Sequence, residues 1–231
     1  MVHQKIIRIL AICTALISLV FMGSAQAGVA LGATRVVYPS DQKQVSLAIT
    51  NSDDKGFLIQ SWVEDSSGHK DGRFVITPPL YLMQGKRENT LRIIDATNNA
   101  LPKDRESLFW INVKAIPSLD ASREKENTLQ IAISSRIKLF YRPLGLTPSS
   151  DKAAEQLRFS RQGNRLVINN PTPYYLTLTD FKVGSSSLEN VMVPPKDNVT
   201  QPLPANSAGE ISYKTINDYG ALTPAMKGVM Q

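Results

Sequence analysis

Cysteine and histidine are scarce in this chain. Cys13 is the only cysteine, and His3 and His69 are the only histidines. A zinc site needs three or four Cys, His or carboxylate ligands, and a catalytic triad needs a histidine base. Past the N-terminal segment, His69 would have to serve every such site, and it lies in the turn-rich run 67–72. The sequence therefore predicts no metal centre, no triad and no disulfide framework.

Nucleotide-binding and hydrolase motifs are absent as well. The chain contains no G-x-x-x-x-G-K-[ST], no G-x-G-x-x-G and no G-x-S-x-G, the patterns that bind phosphates or present a nucleophilic serine. Adjacent acidic residues, such as Asp53 with Asp54, are typical of surface charge. We therefore expect no cofactor and no enzymatic activity.

Long apolar runs are limited to one, at residues 9–22. Lys5 and Arg8 precede it, and an Ala-x-Ala cleavage box follows at residues 25–27. This order predicts a cleavable signal peptide over residues 1–27, with Gly28 as the first mature residue. A transmembrane anchor is the alternative, but a membrane-spanning helix needs about 20 apolar residues. We therefore expect an exported protein that is not inserted in the membrane after cleavage.

The positive charge of the chain is modest. Loss of Lys5 and Arg8 with the signal peptide lowers the 26 basic residues to 24 against 20 acidic ones, a net charge of +4. No run of five Lys or Arg residues occurs. The charge pattern therefore gives no indication of nucleic-acid binding.

Short segments of alternating apolar and polar residues fill the rest of the sequence. Turn-forming residues separate them, as at residues 51–54, 66–68 and 77–79. Many short alternating strands at near-regular spacing are typical of an all-β sandwich. The clearest apolar sets are Val45, Leu47 and Ile49; Leu91 and Ile93; Phe109, Ile111 and Val113; Leu166 and Ile168; and Leu176 and Leu178.

One segment suggests a boundary within the chain. Pro, Gly and Ser cluster at residues 142–150 after a long strand pattern. We predict one sandwich over residues 28–146 and a smaller one over residues 147–231, with a single large sandwich as the alternative. Residues 151–157 are the only stretch that favours a helical turn.

Two charged residues stand out within predicted strands. Arg35 shares the parity of Val29, Leu31 and Val37, so strict alternation would point it toward the apolar side. A buried unpaired charge is costly, so Arg35 is expected to lie in a cleft or to have an anionic partner, unless it protects a sheet edge. Lys138 alone would be interpreted as an outward-facing strand lysine.

Residues 101–117 resemble the signature of the periplasmic pilus (fimbrial) chaperones, the PapD-like family. The run begins as a polar turn, continues as a strand and ends on Pro117. The resemblance extends over residues 28–231 and includes residues 28–35, 71–74, 95–99 and 215–224. It implies two immunoglobulin-like domains arranged as a boomerang with an inter-domain cleft. It also implies an ATP-independent periplasmic chaperone that binds pilin subunits and delivers them to an outer-membrane usher.

The resemblance gives the two odd charges a role. In the family, an Arg on the first strand and a Lys on the last strand of the first domain bind the C-terminal carboxylate of a pilin. Arg35 and Lys138 match these positions. Because Lys138 differs in parity from Leu129, Ile131 and Ile133, a bulge or a sharp twist near residues 134–135 is expected to bring it to the site.

The resemblance also implies a donor strand within the pattern at residues 127–141. In the family this strand lies at an exposed edge and supplies apolar residues to a pilin that lacks its final strand, a form of β-augmentation. Leu129, Ile131 and Ile133 are the matching residues. Periodicity alone also allows them to be ordinary core. A homodimer that caps this edge in the free form is implied too.

A third set of residues matches an ion-pair cluster that joins the two domains in the family. Glu106, Arg142 and Asp218 are its members here, with a structural role as the preferred interpretation. Two other functions remain open on the sequence. One is a secreted adhesin or a pilin, although the mature chain has no cysteine pair; the other is a periplasmic hydrolase, which the scarcity of histidine disfavours.

Overall fold

The computed structural model describes residues 28–118, 129–204 and 207–230. The predicted signal peptide lies outside the described residues, and so does the start of the predicted donor strand at residues 127 and 128. Nearly all regular structure is β. The predicted helical turn forms a short helix α1 (Ser150–Ala153) and a 3₁₀ turn (Ala154–Gln156). Within the described ranges, no helix is long and apolar enough to cross a membrane.

The first domain consists of two sheets. The four-stranded sheet has the order β1-β3-β7-β5, and the five-stranded sheet has the order β2-β9-β8-β4-β6. Their strands are β1 (Val29–Leu31), β2 (Arg35–Pro39), β3 (Gln44–Asn51), β4 (Phe57–Glu64), β5 (Phe74–Thr77), β6 (Leu80–Met83), β7 (Arg87–Asp95), β8 (Ser107–Pro117) and β9 (Ile133–Arg142).

The second domain also consists of two sheets. One has the order β10-β11-β15, and the other has the order β13-β12-β16-β17, with β14 paired to β12. Their strands are β10 (Arg158–Gln162), β11 (Arg165–Asn170), β12 (Leu176–Val183), β13 (Ser186–Ser187), β14 (Val191–Val193), β15 (Asp197–Pro202), β16 (Ile211–Thr215) and β17 (Met226–Gly228).

Each domain has its own apolar core. Alternating residues of β3, β7 and β8 fill the first core, and those of β11, β12 and β16 fill the second. The all-β prediction with two sandwiches is confirmed. The exact boundary stays a prediction, and Leu146 packs against the second core. The predicted core residues that are buried include Leu47, Ile49, Leu91, Ile93, Phe109, Ile111, Val113, Leu166, Ile168, Leu176 and Leu178.

The chain changes sheets between β1 and β2. Strand β1 pairs antiparallel with β3, whereas β2 pairs parallel with β9 in the other sheet. The irregular residues 32–34 invert the alternation, so Leu31 packs against the core from one sheet and Val36 from the other. Arg35 therefore lies on the outer face. Strict alternation predicted that Arg35 points toward the apolar side. This prediction was wrong because it assumed that residues 29–37 form one continuous strand.

Strand β9 pairs with β8 in unbroken register, from Ser107 opposite Tyr141 to Ala115 opposite Ile133. The expected bulge near residues 134–135 is therefore wrong, because Lys138 reaches the outer face by regular alternation. The described strand also begins later than predicted, at Ile133. Its ladder with β8 ends there, and Pro117 at the end of β8 has no N–H to donate.

Candidate functional site

A cleft of about 580 Å³ lies between the two domains. Arg35, Phe140 and Arg142 line it from the first domain. The second domain contributes the loop after β16 and the aromatic residues before β12. These include Tyr174, Tyr175, Ile216, Asp218 and Tyr219.

Arg35 lines this cleft, and Lys138 lies directly beside Arg35 on the neighbouring strand. Parallel pairing of β2 with β9 places the two residues directly opposite each other, so both side chains project from the same face of the sheet. Each cation lies near an aromatic ring. The Nζ of Lys138 is 5.9 Å from the ring centroid of Trp110, and the Cζ of Arg35 is 5.8 Å from that of Phe140. We call Arg35 and Lys138 the anchor pair.

The anchor pair is deficient in anionic partners. Arg35 donates one hydrogen bond, from Nη1 to the carbonyl oxygen of Ile216 at 3.2 Å, and its buried Nε has no partner among the described residues. Burial lowers the pKa of Arg35, although Asp218 and Glu106 partly oppose this effect. Burial also lowers the pKa of Lys138, and the charge of Arg35 lowers it further. An anion bound between them would relieve both effects.

Leu129, Ile131 and Ile133 are exposed and belong to neither core. Their exposed fractions are 88%, 66% and 64%. The ordinary-core interpretation is therefore wrong for these three residues, which we call the donor segment. Ile131 and Ile133 line one side of a groove of about 340 Å³, and Phe57 and Val113 contribute to the other walls.

The edge of β9 is only half covered. Strand β2 pairs with β9 from Lys138 to Arg142. From Ile133 to Ile137, β9 pairs with β8 on one side, and no described strand lies on the other. Such an edge presents unpaired N–H and C=O groups and can pair with another chain.

The structure brings Glu106, Arg142 and Asp218 together across the two domains. Arg142 Nε lies 2.7 Å from Glu106 Oε1. Arg142 also donates two hydrogen bonds to Asp218, from Nη1 to Oδ2 at 2.6 Å and from Nη2 to Oδ1 at 2.7 Å. Glu106 Oε2 accepts a hydrogen bond from the backbone N–H of Tyr175 at 2.8 Å. We call these three residues the hinge cluster.

The hinge cluster pairs its charges, in contrast to the anchor pair, although burial still raises the pKa of Glu106 against the lowering effects of Arg142 and the Tyr175 N–H. Burial acts to raise the pKa of Asp218, but hydrogen bonds from Arg142 and Ser150 outweigh it, and the pKa lies below its usual value. Burial acts to lower the pKa of Arg142, but its two carboxylate partners raise it. Such a bidentate arrangement fixes geometry as well as charge where the two domains meet.

Several residues of the site were not identified from the sequence. Phe140 of β9 packs against Tyr175 of the second domain, with ring centroids 5.7 Å apart. The outward positions of β9 include Lys138, Phe140 and Arg142, so the parity of Lys138 could have identified Phe140. The contact between Arg35 and the backbone of Ile216 joins residues 181 positions apart, and no local signal indicates it.

No metal site is evident in the described part of the chain, where no three His, Cys, Asp or Glu side chains converge. His69 lies in an exposed turn, and its Nδ1 is 3.8 Å from Asp65 Oδ2. The exposed position agrees with the interpretation of His69 as a loop residue.

Comparison with known proteins gives a consistent result. Residues 28–147 match the family model for the pili and flagellar-assembly chaperone, PapD N-terminal domain. Residues 152–227 match the model for the pili assembly chaperone PapD, C-terminal domain. The chain is 63% identical over 210 residues to the chaperone protein FimC of Escherichia coli strain K12, which covers 90% of this chain and 87% of FimC.

Solved structures agree with this result. The crystal structure of the periplasmic chaperone SfaE is 60% identical, with a TM-score of 0.77, and covers 87% of this chain and all of SfaE. The SafB chaperone, solved in complex with the Salmonella enterica SafA pilin, is 30% identical, with a TM-score of 0.78. That match covers 90% of this chain and 98% of the matched one. Two family domains in order, with relatives that align over nearly the whole length, show that this chain belongs to the PapD-like family of pilus-assembly chaperones.

Proposed function

We propose that this chaperone captures pilin subunits by β-augmentation along the uncovered edge of β9. This edge runs from Ile133 to Ile137, and we call it the bare edge. The terminal carboxylate of the pilin is bound between Arg35 and Lys138. One observation carries the proposal: the bare edge ends at two cations that no described carboxylate contacts.

The anchor pair suits a carboxylate for chemical reasons. A carboxylate has about four acceptor sites, so it accepts hydrogen bonds from a guanidinium and an ammonium at once. Arg35 supplies a planar fork and Lys138 a compact charge, which makes the two donors complementary rather than interchangeable. Partial burial strengthens both bonds because water screens them less.

The position of the anchor pair also sets the direction of the bound strand. The client must end beside Lys138, and its preceding residues then lie beside Ile137 and on toward Ile133. A strand placed in this way runs in the same direction as β9, as β2 does farther along. Main-chain hydrogen bonds would supply affinity, and the spacing of side chains would set the register.

The donor segment supplies the apolar part of the interaction. Burial of three Leu and Ile side chains contributes roughly 5–9 kcal/mol before ordering costs are subtracted. An incomplete pilin sandwich that receives these residues completes its core and does not aggregate. No nucleotide motif occurs in the sequence, so this binding energy, rather than ATP, drives the proposed capture.

The cellular setting forms part of the proposal. The predicted signal peptide and the names of relatives such as the periplasmic chaperone SfaE support a periplasmic location. The likeness to SafB, which was solved with a pilin, supports pilin as the client. Delivery to an outer-membrane usher, and a homodimer that covers the bare edge in the free form, are further parts of the proposal.

The test is co-purification from the periplasm of cells that make pili. Wild-type chain should recover a pilin in a one-to-one complex. Arg35→Ala and Lys138→Ala should each reduce recovery at least tenfold, about 1.4 kcal/mol, because each removes one of two charge-assisted donors.

Arg136→Ala provides a matched control. Arg136 is a cation on the same face of β9, but it is already paired with Glu64 at 3.0 Å and stacked over Trp110 at 4.4 Å. Its loss should leave recovery within about threefold. Normal recovery with folded Arg35→Ala protein would refute the anchor assignment.

A further inference from the structure

A loop of the second domain closes one side of the cleft next to the anchor pair. It joins β16 to β17, and its tip spans residues 217–221. Within the tip, the side-chain Oδ1 of Asn217 accepts hydrogen bonds from the backbone N–H groups of Tyr219 at 3.0 Å and Ala221 at 2.9 Å. The backbone N–H of Asn217 in turn donates to the carbonyl of Ala221 at 2.9 Å. These hydrogen bonds within the tip therefore determine its shape.

The first domain determines where this tip lies. Gly220 has a φ of +82°, and a Cβ at that position would clash with Thr34 Oγ1. The preceding residues add two contacts: Ile216 accepts the hydrogen bond from Arg35, and Asp218 pairs with Arg142. The tip is thus held against the residues that form the anchor pair and the hinge cluster.

Tyr219 projects from the apex of this tip. It is 92% exposed, more than any other large apolar or aromatic side chain in the described ranges. It also lines the same cleft as Arg35 and Phe140. Tyrosine is ordinarily at least partly buried, because its ring is apolar. Here a well-ordered loop places the ring in water, at the wall of the cleft that the client must enter.

An aromatic ring on a fixed support is an efficient contact residue. Tyrosine provides a large contact area with only two rotatable side-chain torsions, and a loop that is already ordered loses little entropy on binding. A ligand with its carboxylate on Arg35 occupies the cleft that Tyr219 lines. Because Arg35 and Tyr219 line the same cleft, the last residues of such a ligand are the ones that the ring can contact.

We infer that Tyr219 is a second-domain contact residue that packs against an apolar or aromatic side chain near the carboxyl end of the bound subunit. The inference rests on the proposed function and adds a second wall to the binding site. The first domain holds the charge and the backbone of the client, and the second domain holds a side chain.

The test measures the affinity of the full-length chaperone for two peptides. Both carry the last ten or so residues of the pilin that co-purifies with it, enough to span the bare edge at roughly 3.3 Å per residue. One peptide ends in a carboxylate and the other in an amide. Tyr219→Ala should weaken both peptides by about tenfold, and Tyr219→Phe should retain wild-type affinity, because the ring rather than the hydroxyl makes the contact.

Matched variants separate this inference from the proposed function. Arg35→Ala should weaken only the carboxylate peptide; if it weakens neither, the anchor assignment fails and Tyr219 is still tested by its own variant. Leu80→Ala removes another exposed apolar side chain, on β6 at the far edge of the first domain's five-stranded sheet, and should change neither affinity. Wild-type affinity of Tyr219→Ala for both peptides would overturn the inference. An altered self-association with unchanged peptide affinity, measured by sedimentation, would overturn it too and assign the ring to a contact between copies of the chain.

Discussion

Strand β9 has two halves that differ in what lies beside them. From Lys138 to Arg142 it is flanked by β8 and β2, and Leu139 is fully buried. From Ile133 to Ile137 it has β8 alone, and Ile133 is mostly exposed. Both halves carry apolar residues at alternating positions. Apolar alternation therefore predicts a strand, but the neighbouring strands decide whether its residues become core or stay exposed.

The chain passes from one sheet to the other between β1 and β2, and this change of sheet causes the difference between the two halves of β9. Because β1 pairs with β3, it leaves the first half of β9 uncovered, and β2 covers only the second half. The same chain segment thus protects one half and leaves the other available. Three measurements test how far the two halves differ.

The largest effect is expected from truncation in the covered half. Leu139→Ala should lower the free energy of unfolding by about 2–5 kcal/mol, because it leaves a cavity in the first core. Ile133→Ala, in the bare half, should lower it by less than about 0.5 kcal/mol. Urea unfolding measures both values. Equal losses would show that Ile133 belongs to the core.

A charge in the donor segment should affect binding and not folding. Ile131→Asp should weaken pilin binding by about 100-fold, roughly 2.7 kcal/mol, because a carboxylate would have to be desolvated in the apolar contact. Its urea midpoint should match that of the wild type. Ser134→Asp, which adds the same charge on the opposite face of β9, serves as the control and should weaken binding less than threefold. Comparable losses for the two variants would indicate nonspecific repulsion.

The smallest effect concerns the hinge cluster at the covered end of β9. Asp218 has a lowered pKa in the folded protein, so its contribution to stability is present above its unfolded pKa of about 3.9 and is lost as pH falls through the folded-state value. Asp218→Asn should therefore cost roughly 1–2 kcal/mol at pH 7.

The difference between wild type and Asp218→Asn should shrink as pH falls below about 4. Urea unfolding across this range measures it. A difference that stayed constant down to pH 2 would show that the ion pair with Arg142 does not stabilise the folded state. Leu139→Ala offers a comparison whose cost should not follow the titration of Asp218.

Local pattern predicted much of this molecule. Alternation identified the core positions of β3 and β7, because regular pairing keeps their parity unchanged. Alternation predicted the wrong face for Arg35, because the irregular residues 32–34 between β1 and β2 invert the parity of inward-facing positions. It also added an unnecessary bulge before Lys138, since it assumed that Lys138 must face the same way as Ile133.

The site depended on more than local pattern. Resemblance to a family indicated the anchor pair, the donor segment and the hinge cluster, and the structure brings the three hinge residues into contact. The hydrogen bond from Arg35 to Ile216 joins the two domains through a backbone carbonyl, which every residue possesses. No sequence pattern distinguishes one carbonyl from another, so only the folded arrangement reveals this contact.

The start of β2 has a consequence for when a client can be recognised. Beyond Arg35, β2 already occupies the edge of β9, so a guest strand cannot continue along that edge. In the proposed complex, a polypeptide that ends at this point fits, whereas a longer chain would have to turn away from β9. The proposed site therefore favours a guest with a free carboxyl terminus, which a polypeptide acquires only when its synthesis is finished.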